Sequence, residues 1–257
     1  MSVDSSVLTF LRLDARYLEA RPPAPQLADR EVHMWAVLLD APAEVESHCW
    51  NWLSPTEQER VRRLSFEHDR RHFVVAHGWL RHILARYCSQ DPCHVPIINA
   101  SGGKPQLSRE MLRSYDVRFN LTHSNGRALL ALARGFEVGV DLEEMRQAVQ
   151  HLKLSERFFS RTEWETIISC SEDRQREMFF RYWVGKESVM KAHGTGLLFP
   201  LDQSELTISD RLDEAVLGGC GRKTQEQKWI IRFLDLNPGW IGAVAAEGTD
   251  WTMRYCG

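Results

Sequence analysis

Two periods of apolar and polar positions run along this chain, and they predict where its helices and strands lie. Apolar residues recur at spacings of three and four over residues 69–87, which predicts a helix with one apolar face. A second long helix is predicted over residues 174–193, with Gly194 placed to end it. Shorter helices are predicted to begin at Ser54 and Ser160, because a glutamate follows each serine by three residues, as in a capping box.

The remaining segments favour strands, and the order of helices and strands indicates the fold class. Asn125-Gly126 is a strong hairpin signal, and strands are predicted at 33–40, 117–122, 128–133, 137–143, 206–209, 229–236 and 240–246. Helices followed by strands occur in each half of the chain. We therefore predict an α+β fold.

Composition and charge limit the kinds of partner that we expect for this protein. The 257 residues are 43% hydrophobic and 26% charged, which is typical of a globular protein. The sequence has neither a run of about 18 uncharged apolar residues nor a basic start followed by an apolar stretch, so we expect no spanning helix and no secretory signal. The net charge of −3 gives no overall field for nucleic acid or for an anionic membrane, so we expect neither as a partner.

The cysteines indicate the compartment. Six cysteines occur without a CxxC pair, which is typical of free thiols in a reducing environment and predicts a cytoplasmic protein. Cys88, Cys93 and His94 lie close together in the sequence. Their spacing matches no usual zinc pattern and no fourth ligand is evident, so we predict no zinc site there.

Two acidic residues lie on one face of the predicted strand at 137–143. Val138, Val140 and Leu142 alternate with the other residues and should point into a core. Asp141 and Glu143 then share the opposite face, about 7 Å apart. Magnesium is a natural cation for such a pair to bind, since its ligands are carboxylate oxygens together with waters and phosphates. The alternative is a strand end that faces solvent.

The predicted helix at 174–193 carries a second set of charged residues. Trp183, Glu187 and Lys191 lie on one face at intervals of four. Beside an apolar stripe, this glutamate and lysine must be paired, hydrogen-bonded or functional. The alternative is an exposed ion pair between Glu187 and Lys191, which would contribute only a few tenths of a kcal/mol.

Basic residues are frequent along the two early predicted helices. Seven arginines lie between Ser54 and Arg86, against four acidic residues. They form either a solvated helix face or a site for a multiply charged anion, since guanidinium groups match phosphate oxygens. Two further candidates are Lys104, in a turn that lacks the GxxxxGK[ST] phosphate-loop pattern, and His123, at the end of a strand.

Four segments of the sequence, taken in their order along the chain, resemble those of one protein family. They are Gly103-Lys104-Pro105, Phe119-Asn120-Leu121-Thr122-His123-Ser124, Gly139-Val140-Asp141-Leu142-Glu143 and Trp183-Val184-Gly185-Lys186-Glu187-Ser188-Val189-Met190-Lys191. They resemble the 4′-phosphopantetheinyl transferases, and in particular the large, Sfp-type branch. The resemblance implies two similar halves related by a pseudo-twofold axis, with the active site in the cleft between them. We place the halves at residues 1–134 and 135–257.

The resemblance also implies roles for individual residues. Asp141, Glu143 and Glu187 fall on the metal-binding acids, with Glu187 and Lys191 as the catalytic pair. The implied contacts of coenzyme A are Lys104, Pro105, Thr122, His123 and, for its 3′-phosphate, a basic residue of the early helices. Arg63, Arg70, Arg71 and His72 are the candidates for that last role, and the sequence does not choose among them.

The activity implied is that of a holo-[acyl-carrier-protein] synthase. The phosphopantetheine arm of coenzyme A would pass to a serine of an acyl or peptidyl carrier protein, with Mg²⁺, and 3′,5′-ADP would leave. The chain is expected to be a monomer, because one chain completes the cleft. A non-catalytic binding module and a Mg²⁺-dependent coenzyme A hydrolase are the alternatives. We expect the acidic carrier protein to dock on Met145, Arg146, Lys153 and Arg161.

Overall fold

The structure of the protein is a computed structural model that describes residues 8–20, 22–100, 102–194, 204–218 and 229–256. Within these residues the helices are α1 (Ala15–Ala20), α2 (Ala43–Trp52), α3 (Pro55–Arg63), α4 (Glu67–Tyr87), α5 (Arg109–Tyr115), α6 (His151–Phe158), α7 (Arg161–Ser169) and α8 (Glu172–His193). The strands are β1 (Glu31–Leu38), β2 (Ile97–Asn99), β3 (Pro105–Leu107), β4 (Val117–Ser124), β5 (Arg127–Arg134), β6 (Val138–Glu144), β7 (Glu205–Ile208), β8 (Glu214–Gly218), β9 (Trp229–Phe233), β10 (Trp240–Glu247) and β11 (Thr252–Tyr255). None of these helices is long and apolar enough to span a bilayer.

Two larger sheets and one short hairpin organise these strands. The first sheet has the order β11-β1-β5-β4, and the second has the order β6-β10-β9-β8-β7. The pairs are antiparallel except that of β1 with β11, which is parallel. The short strands β2 and β3 pair with each other. The predicted α+β class is confirmed.

The two sheets pack face to face, and each carries a long helix on its outer face. Because successive side chains of a strand point to opposite faces, β1 contributes to two cores. Val32 and Met34 belong to the cluster between the sheets, whereas Trp35 and Val37 pack in the cluster that contains the apolar face of α4. The outer face of the second sheet packs against α8 in the same way. The layers therefore run α4, first sheet, second sheet, α8.

The two halves repeat the same elements in the same order. In the first half, β1 is followed by α3, α4, β4 and β5; in the second half, β6 is followed by α7, α8, β9 and β10. The sheet orders β1-β5-β4 and β6-β10-β9 correspond as well. The expected division at residue 134 falls between β5 and β6, although β11 returns to pair with β1 in the first sheet. That division remains a proposal.

Each half also contains a capping box whose glutamate forms a buried ion pair with the long helix. Ser54 and Glu57 cap α3, and Glu57 Oε2 accepts from Arg81 Nε of α4 at 2.8 Å. Ser160 and Glu163 cap α7, and Glu163 Oε2 lies 2.5 Å from Lys186 Nζ of α8. Removing one partner from a buried pair of this kind costs about 3–5 kcal/mol, because the other charge is left uncompensated. These pairs fix α3 against α4 and α7 against α8.

Candidate active site

Strands β4 and β6 lie side by side where the two halves meet, and side chains join them. Residues at alternate positions of β4 point to the same face, so three of them reach β6. The contacts are Val140 N to Asn120 Oδ1 at 2.9 Å, Thr122 Oγ1 to Asp141 Oδ1 at 3.3 Å and Ser124 Oγ to Glu143 Oε2 at 3.4 Å. The polar face of β6 therefore opens between the halves, as the alternation of its residues predicts.

A glycine lets α8 approach β6 closely enough to bring its charged residues to the same place. A Cβ atom at Gly139 would overlap the carbonyl oxygen of Ser188 and the backbone nitrogen of Ala192. Because these are backbone atoms of a helix, they cannot turn aside. The absence of a side chain at Gly139 thus sets the distance at which α8 presents Glu187 and Lys191 to Asp141.

Lys191 is the cation of this acidic cluster. Its Nζ donates to Asp141 Oδ1 at 2.5 Å and to Thr122 Oγ1 at 3.0 Å. The exposed ion pair between Glu187 and Lys191, the alternative from the sequence, is not what the structure shows. Asp141 is only 3% exposed, and its Oδ2 has no hydrogen-bond partner among the described residues. An unsatisfied buried carboxylate oxygen is costly, so this atom is oriented for a ligand.

The cluster carries more negative charge than Lys191 can balance. The pKa of Glu187 is raised to about 7 by burial and by the charge of Asp141, against the opposing effect of Lys191. The pKa of Glu143 is also raised, again by burial first and by Asp141 next. Carboxylate oxygens are the ligands that Mg²⁺ prefers. The unpartnered Oδ2 and the excess of negative charge suit a cation, and Asp141, Glu143 and Glu187 would hold magnesium, although their oxygens do not all lie within 4.8 Å of one another in this structure.

A group of basic side chains surrounds His123 at the end of β4. The pKa of His123 is lowered to about 4, first by the protein atoms packed around its ring, although the residue keeps an exposed surface, and then by the positive charges of His77, Lys191, His72 and Arg60. His72 Nε2 lies 3.0 Å from Asp40 Oδ1, beside the turn at Gly126 that follows β4. Two layers of charge thus face the cleft, one acidic and one basic.

Arg60 and His77 were not singled out from the sequence. Arg60 is exposed, and its guanidinium lies over the Phe73 ring, 5.1 Å from the centroid. No described acidic residue forms an ion pair with Arg60, so its charge is available to a ligand. Helical spacing is the signal that could have found His77, because His77 follows Phe73 by one turn and precedes Arg81 by one turn.

Arg63, Arg70 and Arg71, the predicted coenzyme A contacts of the early helices, point to other partners. Arg63 Nε donates to Glu59 at 3.2 Å, and Arg70 Nε donates to the carbonyl of Leu64 at 2.8 Å. Arg71 pairs with Glu46 of α2. None of the three is among the charges that lower the pKa of His123. Arg70 and Arg71 instead line a separate cavity of about 630 Å³ between α2, α3 and α4.

The turn before β3 borders a second cavity, beside the acidic cluster. Lys104 Nζ donates to Glu137 Oε2 at 2.7 Å, to Ala192 O at 2.9 Å and to Val138 O at 3.2 Å. Burial lowers the pKa of Lys104, with Glu137 opposing this. Since an ammonium group has three protons, these bonds use all of them. The cavity measures about 250 Å³, and its lining is Gly102, Gly103, Lys104, Pro105, Asn120, Leu121, Met190, Lys191 and Gly194.

The three residues that the sequence placed near one another at 88–94 do not come together. Cys88 is buried in the core of the first half, whereas Cys93 and His94 are exposed. Asp91 approaches them instead, and the ligand atoms of Asp91, Cys93 and His94 lie within 4.8 Å of one another. Cys88 is therefore no part of a metal cluster with these two residues.

Two family models match the chain, one in each half. Residues 137–245 match the 4′-phosphopantetheinyl transferase superfamily. Residues 42–134 match the N-terminal model of 4′-phosphopantetheinyl transferase. The two matched segments meet between β5 and β6. The resemblance drawn from the four sequence segments is confirmed.

Individual relatives are similar over most of the chain. The 4′-phosphopantetheinyl transferase HetI of Nostoc sp. is 32% identical over 235 residues, which cover 91% of this chain and 95% of that protein. The 4′-phosphopantetheinyl transferase Sfp of Bacillus subtilis is 26% identical, over 85% of this chain and 93% of that protein. A solved structure of a holo-(acyl-carrier-protein) synthase from Bacillus anthracis, in complex with CoA (3′,5′-ADP), is 20% identical with a TM-score of 0.37, over 44% of this chain and 96% of that chain. With both halves matched and HetI similar over nearly its whole length, the chain belongs to the 4′-phosphopantetheinyl transferase superfamily.

Proposed function

We propose that this chain transfers the 4′-phosphopantetheine arm of coenzyme A to a serine of an apo acyl or peptidyl carrier protein, with Mg²⁺, and releases 3′,5′-ADP. The activity is then of the holo-[acyl-carrier-protein] synthase kind. The observation that carries the proposal is the pair of facing charge layers. Asp141, Glu143 and Glu187 lie with Lys191 on one side of the cleft, and basic side chains surround His123 on the other.

Coenzyme A fits this arrangement by its own charge distribution. Its pyrophosphate would lie against Lys191, between Thr122 and the acidic cluster. The 3′-phosphate would lie among Arg60, His72, His77 and His123, where positive charge is concentrated. We prefer this set to Arg63, Arg70 and Arg71, whose guanidinium groups bond to protein oxygens.

The adenosine end would occupy the cavity of about 250 Å³ beside Lys104 and Pro105. Since the ammonium of Lys104 is fully used by Glu137, Val138 and Ala192, we propose that Lys104 contacts the ligand through its aliphatic stem. The ammonium then fixes the turn to β6 and to the end of α8. This assigns Lys104 a role in shaping the cavity rather than in binding a phosphate.

The residues of the cleft supply the proton and charge chemistry of transfer. Glu187 is a carboxylate on the acidic side of the cleft, so it can take the proton of the carrier serine as a general base. Lys191 donates hydrogen bonds to Asp141 and Thr122 among the described residues, and its third N–H can stabilise the departing phosphate. When bound, Mg²⁺ would withdraw charge from the pyrophosphate oxygens.

One incubation tests the proposal against both alternatives. The protein is mixed with coenzyme A, Mg²⁺ and an apo acyl carrier protein, and the carrier is weighed by mass spectrometry. Transfer adds one phosphopantetheine arm to the carrier and releases one 3′,5′-ADP, and Asp141→Ala should abolish both. Release of 3′,5′-ADP without a carrier would indicate a hydrolase. Binding of coenzyme A with no product would indicate a non-catalytic module.

The same features support proposals about the oligomeric state, the cellular location and the partners of the protein. We propose that the protein works as a monomer, because residues of both halves of one chain complete the cleft. We propose a cytoplasmic location, where thiols persist; the five cysteines among the described residues are thiols and not disulfides. Its proposed partners are coenzyme A and a carrier protein, and not nucleic acid or membrane.

A further inference from the structure

The carboxylate of Glu57 is held rigidly through one of its two oxygens. Oε2 accepts from Ser54 N, Ser54 Oγ and Arg81 Nε, each at 2.8 Å. Arg81 is itself buried, and its Nη1 donates to the carbonyls of Pro92 and Val95. The position of this carboxylate is therefore set by the cap of α3 and by a buried guanidinium of α4.

The other oxygen of Glu57 contacts a histidine of the cleft. Oε1 lies 3.3 Å from His77 Nδ1, and the His77 ring stacks on Phe73 with the ring centroids 3.8 Å apart. Burial opposes ionisation of Glu57, but the bonds from His77 and Ser54 and the charge of Arg81 outweigh it and lower the pKa of Glu57 to about 2. An ionised acceptor is thus always present at Nδ1, and the second ring nitrogen, Nε2, is left for a ligand.

We propose that Glu57 is a positioning residue that orients His77 toward the 3′-phosphate of coenzyme A. A histidine donates to an anion through Nε2 and remains cationic only if both ring nitrogens carry protons. Glu57 provides the acceptor for the second proton, as a carboxylate does for the histidines of metal sites. This inference rests on the proposed function, because it takes the 3′-phosphate to lie beside His77.

The second half of the chain contains an equivalent glutamate, Glu163, which contacts no such histidine among the described residues. Glu163 also caps its helix and pairs through Oε2 with a buried cation, Lys186. Its Oε1 accepts from the backbone nitrogen of Leu206 at 2.8 Å, so both oxygens serve the fold. In the first half, the corresponding oxygen is directed to His77. The capping box is common to both halves, and the contact with a cleft residue is specific to Glu57.

The test compares coenzyme A with dephospho-coenzyme A, which lacks the 3′-phosphate. The ratio of the two kcat/KM values is measured for wild type, His77→Gln, Glu57→Gln and the double variant, with an apo acyl carrier protein as acceptor. We expect His77→Gln and Glu57→Gln each to lower the preference for coenzyme A by about tenfold, as for loss of one charge-assisted hydrogen bond. The double variant should lose no more than His77→Gln alone, since Glu57 acts through His77.

Two controls separate positioning from stability. Ser54→Ala removes the hydroxyl that caps α3 but keeps the backbone N–H of residue 54 and Arg81 Nε as donors to Glu57 Oε2, so it should lower the melting temperature and keep the preference. Should Glu57→Gln fold poorly with Arg81 unpaired, the pair Glu57→Gln and Arg81→Met removes both buried charges together and should show the same loss of preference.

The outcomes are distinguishable. If His77→Gln loses the preference while Glu57→Gln keeps it, or if the two losses add, the inference is wrong and the phosphate site stands. An equal loss in Ser54→Ala would also overturn it, because the effect would then be structural. If His77→Gln keeps the preference, the 3′-phosphate does not lie beside His77, and this part of the proposed function fails.

Discussion

The ammonium of Lys191 lies 2.5 Å from Asp141 Oδ1, inside the cluster formed by Asp141, Glu143 and Glu187. Lys191 comes from the last turns of α8, and Asp141 comes from the middle of β6, 50 residues earlier. Three carboxylates in a largely buried site repel one another, and one ammonium cannot neutralise all three. Lys191 thus serves as the internal counter-ion of the cluster and occupies an oxygen that a metal ion could use.

The first prediction is that Lys191 and a divalent metal compete for Asp141. Lys191→Met should bind Mn²⁺ about tenfold more tightly than wild type without coenzyme A, because one strong hydrogen bond no longer has to be broken. Transfer should nevertheless be lost. Electron paramagnetic resonance of free Mn²⁺ gives the affinity, with Lys153→Met on exposed α6 as the control. Unchanged or weaker Mn²⁺ binding would show that Lys191 does not block the metal site.

The second prediction concerns pH and stability. The pKa of Glu187 is about 7 in the folded protein, above its ordinary value, so the folded state holds this proton more tightly than the unfolded chain. Ionising Glu187 therefore costs folding free energy, and this cost appears as pH rises from about 4.5 to about 7. Glu187→Gln removes the cost. In EDTA it should be as stable as wild type at acidic pH and more stable above pH 7, by on the order of 1–3 kcal/mol.

Urea unfolding at several pH values measures this difference. Glu156→Gln, on the exposed face of α6, is the matched control and should follow wild type at every pH. A stability gain in Glu187→Gln that is independent of pH would argue against the raised pKa as its cause.

The third prediction is that Gly139 sets the geometry of the site. An alanine there would place its Cβ against the backbone of Ser188 and Ala192, so α8 would have to move away from β6. We expect Gly139→Ala to lower stability by about 1–3 kcal/mol, as overpacking does, and to lower kcat more than the apparent affinity for coenzyme A. Gly218→Ala, where the new Cβ meets no atom of the described residues closer than 4.0 Å, is the control and should leave both unchanged.

Local signals in the sequence were enough to predict the elements that carry Asp141, Glu187 and Lys191. The capping box at Ser160, the end of α8 at Gly194 and the alternation around Asp141 all depend on neighbours within a few residues, and the structure has each of them. Helices α1, α2 and α5 and strands β2, β3, β8 and β11 were not predicted. Helix α2, for example, begins after Pro42 with no side-chain cap, so no local signal marks its start.

The basic side of the cleft could not be predicted in the same way. Which face of α3 and α4 meets β4 is decided by the tertiary fold. The sequence drew attention to Arg63, Arg70, Arg71 and His72, whereas the charges that act on His123 are those of His72, Arg60 and His77 together with Lys191. The hydrogen bonds of Lys104 could not be predicted from the sequence for a similar reason. Its partners Glu137 and Ala192 lie 33 and 88 residues away, and no local pattern links residues that are so distant.

The last prediction concerns docking of the carrier protein. Met145 is half-buried against the core of the second half, which leaves Arg146, Lys153 and Arg161 as exposed candidates. Arg146 follows β6 directly, and its charge lowers the pKa of Glu143, so a carrier held there would have its serine near the acidic cluster. Carrier proteins are acidic around that serine, as the family resemblance implies. Arg146→Glu with Lys153→Glu should therefore weaken carrier binding, and most strongly at low salt, where charges are least screened.

Titration calorimetry with an apo acyl carrier protein, at low and high salt, measures this effect. The control changes the same net charge on another helix, with Arg109→Glu and Arg113→Glu on exposed positions of α5. Both double variants should keep the wild-type affinity for coenzyme A, because neither pair lies among the basic residues around His123. Because a general charge effect would act on both pairs alike, equal weakening in the two double variants would place the docking surface elsewhere than at the end of β6.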